Sequence, residues 1–448
     1  MTPEQVVSAA VAADLRLIRF LYCDSFGIIR GKATHVSSLA ERMRTGIGLT
    51  VAMQAFVSLD HLASVEGMGP VGEIRLVPDP DTFVALPYAP KCGLMLCDMV
   101  ELDHEPWGAC PRSFLKRQIE HAHSRGFELQ AAFEPEFTLA TQNEDGDFEP
   151  LDDSLCFSGV GFLSAQHVMD DMVSALEKQG LVVEQYYPEL GHGQQELSIR
   201  HAPALQAADN HIKYRETVRA VAYEHGLLAS FAPKPFANQA GNGCHIHFSL
   251  WSGGHNVFHN PAAEYGLSDM ARQFMAGVLA HLEGLVAITA PSVNSYRRLA
   301  PGMWSSAYTA WGPDNREAAL RVASPFWGNE AASTNIELKP SDNSANPYLA
   351  LGALLAAGLD GIERGLSLGS PAMVEPGSLP EAERQQAAIR RLPEDLGAAL
   401  VALEGDEVLL SALGPTLAES YLAGKRLEAQ LYADQDEAFE LRNHFFKY

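Results

Sequence analysis

Four short segments of the chain carry glutamate and histidine in a pattern that could do chemistry. In three of them, residues 132–137, 243–249 and 335–339, polar residues alternate with apolar ones, so they share one face of a strand. The fourth, residues 186–196, is a glycine-containing bend with a carboxylate near each end. The polar side chains in question are Glu134, Glu136, Glu189, Glu196, His245, His247, Ser249, Glu337 and Lys339.

Two interpretations of these segments are open. Each strand taken alone fits the solvated face of an amphipathic strand. Together they fit it poorly, because solvated faces usually mix in Lys, Thr and Ser. If the faces meet in one cleft, five glutamates crowd together, and two carboxylates about 4 Å apart repel by roughly 4 kcal/mol at an effective dielectric near 20. Such a cluster predicts cations bound between the carboxylates.

Ligands rich in oxygen with a single imidazole favour Mg²⁺ or Mn²⁺ over zinc. Two such ions suit phosphoryl transfer, because they bridge nucleotide phosphates and neutralise charge on the transferred group. Residues 294–302 add Arg298, and residues 311–321 add Arg316 and Arg321. An arginine fork binds carboxylate or phosphate in a bidentate manner, although each arginine taken singly also fits a surface salt bridge.

The elements that must position these residues are predicted from apolar spacing and turn residues. Short β-rich runs separated by prolines fill the first hundred residues, and a linker-like stretch at 104–108 ends them. We expect two domains, residues 1–105 and 106–448, because 448 residues exceed one hydrophobic core. The predicted strands are 15–23, 73–77, 82–86, 93–97, 127–139, 181–187 and 243–251, and the predicted helices are 113–126, 164–180, 204–226, 267–290 and 347–363.

The bulk composition limits the partners and the compartment. The formal charge of −24 disfavours nucleic acid and anionic lipid as partners. The six cysteines are scattered without a CxxC pair and are expected to be reduced thiols. The chain begins without the pattern of a secretory signal and contains no apolar run that spans a bilayer, so a cytoplasmic location is expected.

The segments resemble, in order along the chain, the glutamine synthetase superfamily in its class I-like branch. The matching stretches are FEPEFTL (133–139), PELGHGQQE (188–196), KPFANQAGNGCHIHFSL (234–250), NSYRRLAPG (294–302), NREAALRV (315–322) and IELKPSDNSANPYLALGALLAAGLDG (336–361). The resemblance implies an α+β fold, with a small N-terminal β-grasp domain and a large catalytic domain whose curved antiparallel sheet is flanked by helices. It also implies an ATP-dependent ligase that assembles as a ring-shaped homo-oligomer, typically a dodecamer, with active sites between neighbouring subunits.

Carried over residue by residue, the resemblance implies two metal sites. The first would comprise Glu136, Glu189 and Glu196, and the second Glu134, His245 and Glu337. ATP would contact Glu184, His247 and Ser249, with Arg316 and Arg321 near the transferred phosphoryl group. The substrates would be held by Arg298, the backbone of Gly241, Glu136, His245 and Trp304. The catalytic residues would be Arg298, Arg316, Arg321 and Lys339.

Two departures from the family concern the ammonium site. Family members that use ammonia carry an Asp-Gly-Ser-Ser loop, but the equivalent residues 46–53 contain no acid. They also carry a glutamate two residues after a Pro-Gly pair, on a loop called the flap. Here Pro301-Gly302 is followed by Met303 and Trp304, so Trp304 takes the place of that glutamate. An indole offers ammonium little beyond a cation–π contact, whereas an organic amine gains buried area worth about 25 cal/mol per Å². We therefore expect an organic amine as the acceptor and a γ-glutamyl amide as the product.

Two further departures concern the acid substrate, for which glutamate is the expectation. The Asn that contacts the glutamate backbone in the family is replaced by Ala240, unless Asn242 takes its place, and an Arg near the reacting carboxyl group is replaced by Lys339. No general base for the amine is assigned. Two alternatives stay open: a genuine glutamine synthetase that uses ammonia, and a catalytically silent family member with a structural or regulatory role.

Overall fold

The computed structural model describes residues Met1–Tyr448 and contains two β-sheets. The smaller sheet is built from the first hundred residues. Its elements are α1 (Pro3–Ala12), β1 (Leu17–Cys23), β2 (Ile29–His35), α2 (Leu39–Thr45), β3 (Ile47–Thr50), β4 (Glu73–Pro78), β5 (Val84–Ala85) and β6 (Cys92–Val100).

The small sheet has the strand order β2-β1-β6-β4-β3, with β5 on β6. Strands β1 and β2 form an antiparallel hairpin, whereas β1 and β6 are parallel, which gives the mixed sheet of a β-grasp domain. Helix α1 starts at a capping box formed by Thr2 and Gln5. Its buried residues Val6 and Ala10 pack with Ile18 and Phe20 of β1 in a separate core of 20 buried residues.

The remaining residues form a larger unit of helices around the second sheet. Its strands are β7 (Glu128–Gln142), β8 (Phe148–Pro150), β9 (Val183–Pro188), β10 (Gln194–Ile199), β11 (Ala202–Pro203), β12 (Leu228–Ser230), β13 (Cys244–Ser252), β14 (His255–Asn256), β15 (Trp311–Pro313), β16 (Leu320–Val322) and β17 (Ile336–Leu338). Its helices are α3 (Pro111–Ser124), α4 (Gly159–Lys178), α5 (Ala204–Glu224), α6 (Asp269–Thr289), α7 (Ser295–Arg298), α8 (Glu330–Ser333), α9 (Pro347–Glu363), α10 (Glu381–Gln386), α11 (Leu396–Glu404), α12 (Glu407–Leu413), α13 (Pro415–Ala433) and α14 (Glu437–Lys447).

The 11-stranded sheet has the main order β15-β16-β17-β13-β7-β10-β9 and is antiparallel except for β15 and β16. Strand β7 pairs with β13 on one side and β10 on the other, so its long run fixes the register of both neighbours. This register places the polar residues of the sequence segments opposite one another. The cross-strand pairs are Glu134–His245, Glu136–Glu196, His247–Glu337 and Arg321–Glu337.

Helices α6 and α9 pack closely behind this sheet because glycines face each other. A Cβ added at Gly277 would lie 2.2 Å from the carbonyl oxygen of Ala357, and one added at Gly361 would lie 2.2 Å from that of Gln273. Helix α9 begins at the N-cap Asn346, whose side chain accepts from the amides of residues 348 and 349. The sheet is thus backed by a rigid helical layer.

The fold class predicted from the sequence is confirmed, with helices and curved sheets of the expected kind. Helix α9 has the predicted bounds, and most other predicted elements differ only at their ends. Two strands differ more: β2, with seven residues, is not among the predicted strands, and β5 has two residues where five were predicted. None of the helices after Glu363 was predicted from the sequence. No helix in the structure is both long and apolar enough to cross a membrane.

Candidate active site

Glu134, His247 and Glu337 form a compact group that could hold a metal ion, with one ligand atom of each residue within 4.8 Å of the others. The Nε2 atom of His247 lies 3.1 Å from Glu134 Oε2 and 3.9 Å from Glu337 Oε1. His245 borders the same carboxylates, because its Nδ1 lies 3.2 Å from Glu337 and 3.9 Å from Glu134. Two imidazoles and two carboxylates therefore meet where β7, β13 and β17 pair.

The hydrogen bonds of the two histidines define their tautomers differently. His247 Nδ1 lies 2.8 Å from Oδ1 of Asn335, whose own amide nitrogen donates to the carbonyl of Ser333, so Nδ1 carries the proton. Its Nε2 is buried and faces the Glu134 carboxylate at 3.1 Å. His245 Nε2 instead accepts from the Arg298 guanidinium at 3.1 Å. Each histidine thus turns one ring nitrogen towards Glu134 and Glu337. The compact group includes His247, whereas the resemblance assigns the ligand role to His245.

A second group of carboxylates, from Glu136, Glu189 and Glu196, lies on the β10 side of β7. Glu136 Oε2 accepts from Gln194 Nε2 at 2.6 Å and from the amide of Gly243 at 3.0 Å. Glu196 accepts from the hydroxyl of Tyr187, its neighbour across the strand pair. No lysine or arginine forms an ion pair with any of the three glutamates.

The pKa values of this second group reflect its uncompensated charge. Burial and then the Glu136 carboxylate raise the pKa of Glu189 to about 7. Burial and the carboxylates of Glu134 and Glu136 raise the pKa of Glu196 well above its usual range. Carboxylates that repel one another in this way form a favourable site for divalent cations.

The first group is charged differently, because it contains cationic neighbours. Burial opposes ionisation of Glu337, but the charges of Lys339, the two histidines and Arg321 lower its pKa to about 2. Arg321 lies 3.0 Å from Glu337 Oε2, and Lys339 Nζ lies 3.4 Å from Glu337 Oε1. Burial alone would lower the pKa of His247, but the adjacent Glu134 raises it to about 9. Glu337 is thus the central anion of this group.

Arg298 lies on the other side of His245, buried at the end of α7. Its Nη1 donates to the carbonyl of Ser341 at 3.2 Å. A Cβ added at Gly243 would lie 2.6 Å from Arg298 Nη2, 2.8 Å from His245 Nε2 and 3.1 Å from Glu136 Oε1. A Cβ at Gly241 would lie 2.4 Å from the carbonyl of Pro233. The glycines let the backbone approach these functional groups closely.

Substitution of Gly243 by alanine is expected to lower kcat/KM about 10- to 100-fold, because the added methyl group displaces Arg298 or His245 at a cost of about 1–3 kcal/mol. Steady-state kinetics on the purified variant test this effect. Gly69→Ala is the matched control, since a Cβ there meets no atom within 4 Å. Equal activity of the two variants would contradict the close approach at Gly243.

Four other residues named from the sequence lie outside the two groups of carboxylates. Glu184 is exposed on the edge strand β9 and pairs with Arg200 at 2.7 Å. Ser249 is buried on β13, where its hydroxyl accepts from the indole of Trp251. Arg316 is exposed, and its charge partly offsets the raised pKa of Glu189. Trp304 is 66% exposed on the loop after α7.

Several contacts at the site were not predicted from the sequence. Asn335, Tyr187 and Gln194 each contact a candidate ligand, and Gly243 approaches three candidate groups. The sequence offers Asn242 as a substitute for the family Asn that contacts the amino-acid substrate. It is fully buried, and its amide nitrogen donates to the carbonyls of Ser230 and Ala232, so it does not face the site.

The chain matches two families over almost its whole length. Residues 1–107 match the glutamine synthetase N-terminal domain, and residues 108–444 match the glutamine synthetase catalytic domain. The gamma-glutamylpolyamine synthetase GlnA3 of Streptomyces coelicolor is 36% identical over 91% of this chain and 88% of its own length. A glutamine synthetase of Mycolicibacterium smegmatis is 35% identical over 98% of both chains.

A solved structure described as a GmaS/ADP complex is also similar. It is 31% identical, covers 98% of both chains and superposes with a TM-score of 0.85. Both parts of the chain and its overall structure thus match proteins of one family. The chain belongs to the glutamine synthetase family of ATP-dependent ligases.

Proposed function

We propose that this protein phosphorylates the side-chain carboxylate of an amino acid, glutamate, with ATP and couples the acyl phosphate to an organic amine. The residue that carries the amine assignment is Trp304, two residues after Pro301-Gly302, where the family resemblance implies a glutamate in members that use ammonia. The similarity to a gamma-glutamylpolyamine synthetase supports it, while comparable similarity to glutamine synthetases leaves ammonia as the alternative acceptor. The catalytic work is proposed for residues 106–448, within a ring-shaped homo-oligomer.

The donor atoms of the site fit Mg²⁺ or Mn²⁺. Ligand atoms of Glu134, His247 and Glu337 lie within 4.8 Å of one another, and the donors of the site other than histidine are carboxylate oxygens, which hard cations prefer. We propose that Glu134, His247 and Glu337 hold one ion and that Glu136, Glu189 and Glu196 hold another. Bound there, the ions would supply charge neutralisation for the phosphate groups.

The cationic side chains have separate roles in the proposed reaction. Arg321, fixed by its contact with Glu337, and Arg316 stabilise the negative charge on the transferred phosphoryl group. Arg298 and Lys339 bind the amino acid, with Arg298 oriented by the carbonyl of Ser341. ATP binding is proposed for the surface near His247 and Ser249, with Glu184 at its edge. These groups act through position and charge, which dominate phosphoryl transfer.

The amine then attacks the acyl phosphate and expels phosphate. The exposed indole of Trp304 offers an apolar surface to an alkyl, aromatic or hydroxyalkyl amine, worth about 25 cal/mol for each Å² that is buried. Ammonium gains none of this area. The indole at this position therefore favours the organic acceptor.

The test is phosphate release on a matrix of acids and amines with Mg²⁺ or Mn²⁺, followed by mass identification of the product. We expect glutamate with an organic amine to give the highest kcat/KM. Ammonia as the best acceptor would establish the genuine glutamine synthetase instead. Ion-dependent thermal stabilisation without ATP turnover on any amine would favour the catalytically silent role.

Paired histidine variants test the ligand assignment. His247→Ala is expected to weaken Mn²⁺ binding at least about tenfold more than His245→Ala, because His247 forms the compact group of ligand atoms with Glu134 and Glu337, whereas His245 Nε2 is held by Arg298. Mn²⁺ titration followed by electron paramagnetic resonance measures both affinities. The reverse order would support the assignment implied by the family resemblance, and His201→Ala, an exposed histidine, is the control.

A further inference from the structure

The flap, defined here as residues 299–307, is held in an unfavourable backbone conformation. Trp304 has φ 54° and Ser306 has φ 68°, in the left-handed region that bulky residues rarely adopt. Each such residue costs of order 1 kcal/mol or more and persists only where the surroundings enforce it. The structure must therefore contain contacts that stabilise this conformation.

The two ends of the flap are held by one arginine. Arg391 donates to the carbonyl of Leu299 at 3.1 Å and to that of Ala307 at 2.7 Å. Its guanidinium also lies over the ring of Tyr308, directly after the flap. These contacts fix the base of the flap and leave the position of its tip to other residues.

The tip, residues 301–304, makes one hydrogen bond to the rest of the protein. The amide of Trp304 donates to Glu317 Oε1 at 2.6 Å. Glu317 is itself buried, and its own amide donates to Asn315, whose side chain donates to the carbonyls of Ala372 and Val374. The carboxylate that holds the tip is therefore anchored to a separate segment of the chain.

Glu317 is linked to the proposed site by its place in the sequence and by charge. It follows Arg316, whose charge acts on Glu189, and the charge of Lys339 also acts on Glu317. Burial raises the pKa of Glu317, whereas the hydrogen bond from Trp304 lowers it. The only hydrogen bond that fixes the tip thus ends on a residue that follows Arg316 and feels the charge of Lys339.

We propose that Glu317 is a positioning residue: its carboxylate holds Trp304 and the flap tip over the site, so that the amine rather than water reaches the acyl phosphate. This inference rests on the proposed function for the identity of the acceptor. The role of Glu317 is to accept a hydrogen bond, so its negative charge is dispensable. Its chain length is not, because the acceptor must reach the amide of Trp304.

Two conservative variants separate these features. Glu317→Gln keeps an acceptor of the same length and loses the charge, whereas Glu317→Asp keeps the charge and is one methylene too short. We expect Glu317→Asp to raise the KM for the amine about tenfold and to release clearly more than one phosphate per amide formed. The KM values for the amino acid and ATP should stay within about twofold, and Glu317→Gln should behave like the wild type.

Amide hydrogen exchange provides a readout without turnover. The amide of Trp304 is expected to be protected in the wild type and in Glu317→Gln and to lose that protection in Glu317→Asp. Equal losses in both variants, or a wild-type exchange rate in Glu317→Asp, would overturn the proposal. If ammonia proves to be the best acceptor, the proposed function fails, but the phosphate-to-amide ratio measured with ammonia and the exchange data still decide the role of Glu317.

Discussion

Glu337→Gln is expected to lower kcat/KM about 10³-fold and to abolish tight Mn²⁺ binding. Glu337 is 1% exposed and faces both histidines, Arg321 and Lys339, so its carboxylate balances the cations on one side of the site. A neutral amide of the same shape removes an ion ligand and also releases Arg321 from its fixed position. Loss of one electrostatic contact to the transition state typically costs 10²–10³-fold, and here two are lost together.

The same variant is expected to destabilise the ion-free protein. The pKa of Glu337 falls from 4.5 to about 2, so the carboxylate adds stability that is present above pH 4.5 and lost as the pH falls through about 2. Removing it leaves buried cations without a partner, at a cost of about 3 kcal/mol at neutral pH. Kinetics, Mn²⁺ titration and chemical denaturation measure these effects.

Glu419→Gln is the matched control, because Glu419 is exposed on α13 and forms no ion pair. It should retain wild-type kinetics and stability. A Glu337→Gln protein with kcat/KM within tenfold of the wild type would refute the central role of this carboxylate.

The faces of the individual strands were predictable from the sequence, but their pairing was not. Alternation within residues 132–137 places Glu134 and Glu136 on one side of β7 by local geometry alone. That Glu136 meets Glu196 while Glu134 meets His245 depends on the register of strands about 60 and 110 residues further along the chain. The family resemblance supplied this long-range information, because local pattern contains none of it.

The roles within the cluster depend on contacts that residue type does not reveal. His245 and His247 lie two residues apart and look equivalent in the sequence. They differ because one accepts from Arg298 and the other donates to Asn335, and both partners come from distant segments. Glu317 was overlooked for the same reason, since its hydrogen bond to Trp304 exists only once the flap has folded back.

The C-terminal helices show a different limit. Helices α10, α11 and α12 have six to nine residues, too short for a clear helical period. Helix α13 did carry signals, since Pro415 stands in its first turn and Leu417 and Tyr421 are buried four residues apart. Helix α13 was therefore predictable from the sequence. The short helices α10, α11 and α12 were not, because they depend on packing against the rest of the domain.

The ion-free protein is expected to lose stability as the pH rises from about 4.5 to 7. The pKa of Glu189 is raised from 4.5 to about 7 and that of Glu196 is raised too, so both add stability that is present below pH 4.5 and lost as the pH rises through these higher values. His247, with its pKa raised from 6.5 to about 9, extends the loss in the same direction. In the ion-free protein, protons therefore neutralise the carboxylates that divalent cations would neutralise in the active protein.

Added Mn²⁺ should consequently stabilise the protein most at high pH, where the carboxylates are ionised. At a free ion concentration 100 times the Kd, one site contributes about 2.7 kcal/mol, which corresponds to a rise of about 3 °C in Tm for a chain of this length. Thermal melts from pH 5 to 8, with either chelator or Mn²⁺, measure the gap between the two curves. The Glu189→Gln, Glu196→Gln double variant should flatten the chelator curve and close much of the gap. A gap that is independent of pH in the wild type would mean that Glu136, Glu189 and Glu196 do not form a cation site.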